Sequence, residues 1–276
     1  METSESCSVT VQLAPPIALI AMVDAKAHNA VCPELHRNMR EALQRAVDDQ
    51  DIRVVIVAGL PEMFSCGGAQ EVLARAEEVP AHSGYEPFAR ALAHSPLPVV
   101  AAMNGHAFGA GLVFGLYADV PVLSERSVYS ANFLQYGMAP YMGATYILRS
   151  RLGAVLGSEM LLTARGYRGS ELRSRGASVL VVGHNDVIST ATAIANRIAA
   201  APRRPLELVK QQLAARTIAD ADAAMATELE PHHIALGLPF VRERAAASYG
   251  PPTPYVADMP PACLGLRFPG RDGEVQ

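Results

Sequence analysis

The residues with the most chemical potential in this chain are small ones. Met103-Asn104-Gly105-His106-Ala107-Phe108-Gly109-Ala110-Gly111-Leu112-Val113 reads as an apolar strand, a turn of three glycines and an alanine, and an apolar helix. Phe64-Ser65-Cys66-Gly67-Gly68 lies earlier and also follows an apolar strand. Small-residue turns at two strand ends let the main chain approach closely and aim two N–H groups at one oxygen. That is the arrangement of an oxyanion hole. Neither Val113 nor the segment 130–137 adds a carboxylate beside it.

The elements that must hold these turns alternate between strand and helix. Val9–Leu13 and Ile17–Val23, split by Pro15-Pro16, read as a strand pair. Pro33 opens a helix through Asp49, with Leu35, Met39, Leu43 and Val47 on one stripe. Arg53–Ala58 and Pro98–Met103 are buried strands, and Val120–Leu123, Val128–Ser130 and Val179–Val182 are shorter ones. Gln70–Glu77 and Glu86–His94 read as helices around a polar loop at 80–87. Ala110–Tyr117, Tyr146–Leu152, Ser158–Ala164 and Asp186–Ala200 follow as further helices. Leu206–Arg216 and Asp220–Ile234 form a helical C-terminal part, in which Pro231 is expected to kink or break the last helix. The class is α/β. Six prolines between Pro251 and Pro269 mark an irregular tail.

Composition narrows the function classes. A chain of 276 residues that is 50% hydrophobic buries a large core. The net charge of −4 has no long basic run behind it, so nucleic acid is not the expected partner. The four cysteines (7, 32, 66 and 263) have no metal-binding spacing and fit a reducing compartment. No signal-peptide pattern and no uninterrupted membrane-length apolar run is present, so a cytoplasmic protein with no membrane partner is expected.

The order of these pieces resembles the crotonase (enoyl-CoA hydratase/isomerase) superfamily over roughly residues 8–247. The residues that carry the likeness are Phe64-Ser65-Cys66-Gly67-Gly68, Asn104–Gly111, Met142-Gly143-Ala144-Thr145 and Met22-x-Asp24-x4-Asn29. Asn132-Phe133-x2-Tyr136-Gly137-x2-Pro140-x-Met142-Gly143, Gly115-Leu116-Tyr117-Ala118-Asp119 and Glu228-Leu229-x2-His232 are similar to the decarboxylating homologues of polyketide β-branching cassettes. The resemblance implies a crotonase-like spiral of ββα units over 1–200, a C-terminal helical region over 201–247 and an irregular tail over 248–276. It implies a homotrimer or a dimer of trimers. It also implies an acyl carrier protein as partner and no cofactor beyond the phosphopantetheine or CoA that carries the substrate. The implied reaction converts 3-methylglutaconyl to 3-methylcrotonyl thioester with loss of carbon dioxide.

Hydratases of the superfamily carry glutamates at positions that align with Val113 and Phe133. Hydration needs a carboxylate to orient and deprotonate water, and two apolar side chains do not supply one. Decarboxylation needs an electron sink instead, and the Gly68 and Ala110 N–H groups are the expected donors to the developing oxyanion. His232 is the expected proton donor, with His233 beside it in the pocket. Cys66, Val72, Arg75, Val113, Phe133 and Tyr141 are expected to line the substrate site, and Lys26 and His28 to meet the phosphopantetheine. There is one departure. The family's decarboxylases often place tyrosine or lysine on the helix after the first turn, where this chain has Gln70, Val72 and Ala76. Arg75, His82 or Tyr85 is left to hold the carboxylate. Tyr141 stands where the family often has glycine, and His106 reads as structural. For a crotonase of another reaction type, Asp119, Glu125 and Glu159 are the candidate bases; a thioester-binding scaffold without turnover is the non-enzymatic alternative.

Overall fold

Residues 9–69, 88–241 and 243 are described in the computed structural model of the chain. β1 (Val9–Ala14) and β2 (Ile17–Met22) pair antiparallel around the two prolines. α1 (Pro33–Asp48) starts on a proline in its first turn and buries Leu35, Met39, Ala42, Leu43 and Ala46 as one stripe. β3 (Val54–Ala58) and β4 (Met63–Ser65) follow, then the short α2 (Ala91–His94), β5 (Val99–Met103), β6 (His106–Phe108) and α3 (Gly109–Leu116). β7 (Val120–Ser124), β8 (Val128–Ser130) and a 3-10 turn at Asn132–Tyr136 lead to α4 (Ala144–Leu152) and α5 (Ala154–Thr163). β9 (Tyr167–Arg168), α6 (Gly169–Ser174), β10 (Leu180–Val182), α7 (Val187–Ala199) and α8 (Arg203–Leu236) complete the order.

Three consecutive strand pairs repeat one plan. β3, β5 and β7 join a six-stranded sheet of order β1-β2-β3-β5-β7-β10, parallel except for β1. Their followers β4, β6 and β8 join a second sheet of order β4-β6-β8-β9. This is the ββα spiral that the resemblance implies. Of the second sheet the sequence shows only β8 as a strand; His106–Phe108, read as part of a glycine turn, is β6, and Met63–Ser65 is β4. Such three-residue strands are too short to show a period, and only pairing with neighbours defines them.

β3 and β5 are buried along their whole length because both faces are covered. Val54, Ile56, Val100, Ala102 and Val122 meet Val187, Ala191 and Ala195 of α7 on one face. Val55, Val57, Val99 and Ala101 join the main core on the other. α3 is buried at every residue, so it is a core helix with no solvent face.

The C-terminal part differs from the sequence expectation. The stretches 206–216 and 220–234 are one helix of 34 residues that continues through Pro231. Residues 217–219 hold no breaker, and Ile218 packs on the core. Pro231 costs the bond to the Thr227 carbonyl, but the buried Glu228 and the half-buried His232, each hydrogen-bonded to the 139–145 segment, flank it. Among the described residues no helix is long and apolar enough to cross a membrane. The 248–276 tail and the helix at 70–77 lie outside the described residues.

Candidate active site

The first turn is fixed by a buried asparagine. Asn29 Nδ2 donates to the Met22 and Phe64 carbonyls at 3.1 and 3.0 Å, and its Oδ1 accepts from Asp24 N at 2.9 Å. Ser65 Oγ donates to Asn29 O at 2.7 Å. Val31 then bridges Gly68 in parallel: Val31 N donates to Gly67 O at 2.7 Å and Ala69 N donates to Val31 O at 3.0 Å. That pattern uses the groups flanking Gly68, so the Gly68 N–H points to the opposite side. Gly67 has φ +94°, and a Cβ there would stand 2.8 Å from Phe108 O and 3.7 Å from Ala110 N. The two turns therefore meet backbone to backbone, which requires glycine.

Ala110 is the second residue of α3, after Gly109 at φ +46°. At that place its N–H has no acceptor within the helix, and the helix dipole adds positive potential. A Cβ on Gly111 would strike the Ser65 side chain, so α3 lies directly against β4.

His106, inside the same motif, is structural. Its Nδ1 accepts from Val128 N at 2.9 Å, tying β6 to β8. Burial pushes its pKa down to about 4. An unfolded histidine titrates near 6.5, so the folded protein holds fewer protons than the unfolded chain between those values. This contribution is present above pH 6.5 and is lost as pH falls toward 4. Between pH 7 and pH 5 His106 alone is expected to remove about 2 kcal/mol of stability. Denaturant unfolding at both pH values checks this: the His106→Gln protein is expected to lose correspondingly less on acidification.

Residues 132–145 run from the second turn to α4. A Cβ on Gly109 would lie 2.9 Å from Asn132 Oδ1, and Phe133 beside it is buried. Tyr117 donates its hydroxyl to Met142 O at 3.0 Å. Met142 and Gly143 have φ +70° and +73°, a sharp entry into α4. α8 docks on this segment at two points. Glu228, buried, accepts from Gly143 N (2.7 Å), Thr145 N (2.7 Å) and Thr145 Oγ1 (2.5 Å). One helical turn later, His232 Nδ1 lies 2.7 Å from Ala139 O. A carbonyl only accepts, so Nδ1 carries the proton and Nε2 is the nitrogen left for exchange. The His232 ring stacks on Tyr141, centroids 5.0 Å apart at 18°. Burial lowers its pKa below the ordinary histidine value.

The other expected site residues fall into groups. Val113, Phe133 and Tyr141 are buried in the main core. His233 is exposed on the helix next to His232. Lys26 is exposed, and His28, at φ +53°, accepts from Cys66 N through its carbonyl at 3.1 Å, so the 24–29 turn flanks the first glycine turn. Cys66 Sγ donates to Ala27 O at 3.4 Å, and burial pushes the thiol up to about 12, which removes thiolate chemistry at neutral pH. Val72, Arg75, His82 and Tyr85 lie outside the described residues.

The alternative bases are all engaged elsewhere. Asp119 accepts both Lys210 Nζ, at 2.7 and 2.8 Å, and Val99 N. Glu125 pairs with Arg173, and Glu159 with Arg175 and Tyr167. Sequence reading passed over what Glu228 does. Its signal was the four-residue spacing to His232, which puts both on one helix face.

Comparison with known proteins places the chain in a family. The enoyl-CoA hydratase/isomerase family profile matches residues 14–234. The chain is 33% identical to the bacillaene synthase decarboxylase PksI of Bacillus subtilis, covering 87% of this chain and 96% of that protein. A solved structure from a dehydratase/decarboxylase enzyme couple of polyketide β-branching superposes with TM-score 0.83 at 33% identity, over 88% of this chain and 99% of the other. The ECH2 decarboxylase domain of CurF from Lyngbya majuscula gives 0.81 at 33% identity, over 88% and 100%. The chain thus belongs to the enoyl-CoA hydratase/isomerase (crotonase) family and is a crotonase-type lyase, similar to the decarboxylases of polyketide β-branching.

Proposed function

We propose that the protein decarboxylates 3-methylglutaconyl held on the phosphopantetheine of an acyl carrier protein, giving 3-methylcrotonyl-carrier protein and carbon dioxide. The observation that carries this reading is the apolar pair Val113 and Phe133 beside the two glycine turns, where hydration would need carboxylates. The engagement of Asp119, Glu125 and Glu159 in ion pairs elsewhere counts against a hydratase or isomerase using them as bases.

Breaking the C4–C5 bond releases carbon dioxide and leaves an electron pair on C4. The pair delocalises through C2=C3 into the thioester carbonyl. Gly68 N–H and Ala110 N–H stabilise the resulting dienolate oxygen, each donor contributing roughly 10²–10³ in rate. His232, protonated at Nε2, delivers the proton to carbon and is recharged from solvent. Protonation at C4 gives the α,β-unsaturated product. In this reading Tyr141, Cys66 and His233 contact the substrate, and Lys26 and His28 meet the phosphopantetheine. In this reading the working unit is a homotrimer.

Intact mass of the carrier protein after incubation tests the reaction. Loss of one carbon dioxide supports it, whereas a change of one water favours a hydratase or dehydratase. A mass that never changes while the carrier protein binds points to a scaffold. His232→Ala is expected to slow the step about 10²-fold or more. Because the imidazolium is the acid and its pKa is lowered, the wild-type rate is expected to fall as pH rises through a value below 6.5. A pH–rate profile rising toward alkaline pH would sink the proton-donor assignment.

A further inference from the structure

We infer that Glu228 is a positioning residue for His232, holding the ring in place through the segment 139–145; this rests on the reading of His232 as the proton donor. Two grips one helical turn apart join α8 to that segment. The Glu228 carboxylate takes the Gly143 and Thr145 amides and the Thr145 hydroxyl, and the His232 ring takes the Ala139 carbonyl. Between the grips lies Tyr141, whose ring stacks on His232.

The geometry explains why a carboxylate is needed. Met142 has φ +70°, a conformation a non-glycine residue keeps only where its surroundings impose it. Tyr117 holds the Met142 carbonyl, and Glu228 holds the next amide. All three donors that face Glu228 point at its two oxygens, at the N-terminus of α4, where negative charge is favoured. A glutamine has the same shape but turns an NH2 group toward one of these donors, so one grip is lost. Releasing it lets the Ala139 carbonyl drift. That carbonyl is what fixes the Nδ1–H tautomer and leaves Nε2 to transfer the proton. The stack with Tyr141 would loosen at the same time. Glu228 uses both carboxylate oxygens for these three donors and, in this proposal, acts through His232.

A double-mutant cycle on the full-length protein tests this, with 3-methylglutaconyl-carrier protein as substrate. Glu228→Gln is expected to lower kcat about 10-fold, with KM little changed. In the His232→Ala background the same substitution is expected to change kcat less than about 2-fold, because the residue it positions is gone. An equal factor in both backgrounds, or no loss in the wild-type background, overturns the proposal. Thr145→Val removes only the hydroxyl donor and is expected to act in the same direction with a smaller effect; it serves if Glu228→Gln does not fold. Ring ¹⁵N chemical shifts of His232 give an activity-independent readout. The Nδ1–H tautomer is expected to dominate in the parent protein and to mix with Nε2–H in both variants. If His232→Ala keeps the parent rate, the proton-donor reading fails on its own. The ring spectra then decide the tether, and an unchanged tautomer in both variants overturns it.

Discussion

Replacing Gly68 by proline is expected to cut decarboxylation about 10²–10³-fold, because proline removes one of the two N–H groups proposed to face the dienolate oxygen. The bridge to Val31 uses Gly67 O and Ala69 N, so the substitution deletes the proposed donor and leaves those two bonds in place. Gly67→Ala attacks the same turn by a different route. Its Cβ would meet Phe108 O at 2.8 Å, and its φ of +94° is unfavourable for alanine, so the two turns must separate. Single-turnover rates of carbon dioxide release, with circular dichroism to confirm folding, measure both. A folded Gly68→Pro protein that runs at the parent rate would remove Gly68 from the oxyanion hole.

Lys210→Met carries the largest expected effect on stability. Lys210 is almost wholly buried, and its ammonium donates to both oxygens of Asp119 and to Leu92 O at 3.0 Å. Removing one partner of a fully buried pair costs about 3–5 kcal/mol; with Asp119 one-fifth exposed and near Arg151, the lower end of that range is expected. For a chain of this size the melting temperature is expected to fall by roughly 10 °C. Among the described residues the Asp119 carboxylate then keeps its bond from Val99 N, at 2.8 Å, and the attraction of the nearby Arg151. Adding Asp119→Asn to Lys210→Met is expected to recover part of the loss, since the orphaned charge is gone. Thermal unfolding of the single and double variants checks this. A single variant as stable as the parent would show that the pair contributes nothing. The same ion pair explains why Asp119, a plausible base by sequence, acts as a structural tie between α8 and the start of β5.

The two glycine turns on which the proposed site rests were legible before the fold. The glycine turns are local: Gly67 and Gly109 adopt backbone angles that favour glycine, and that demand is written in the residue itself. The apolar replacements at Val113 and Phe133 are also visible as residue types. The central strands announced themselves as unbroken Val, Ile and Ala runs, since a parallel strand buried on both faces has no alternation to show. What misled was length and context. The three-residue strands β4 and β6 are too short for a period, and α8 was read as two helices parted at 217–219, the second expected to kink or break at Pro231. Tertiary anchors on either side of that proline outweighed the single bond it loses.

The sequence by itself thus determined the family and the parts on which the proposed chemistry rests: two small-residue turns suited to a thioester oxyanion, with apolar residues at Val113 and Phe133. Those features follow from side-chain size and polarity at positions close in the chain. Only the tertiary structure decided what holds His232, the proposed proton donor. His232 meets Ala139 across 93 residues of chain, and Glu228 meets Gly143 across 85. Contacts at that separation leave no local pattern in the sequence. They exist because α8 packs onto the entry to α4, where a buried carboxylate satisfies a helix N-terminus and one turn later a carbonyl sets the tautomer of the histidine.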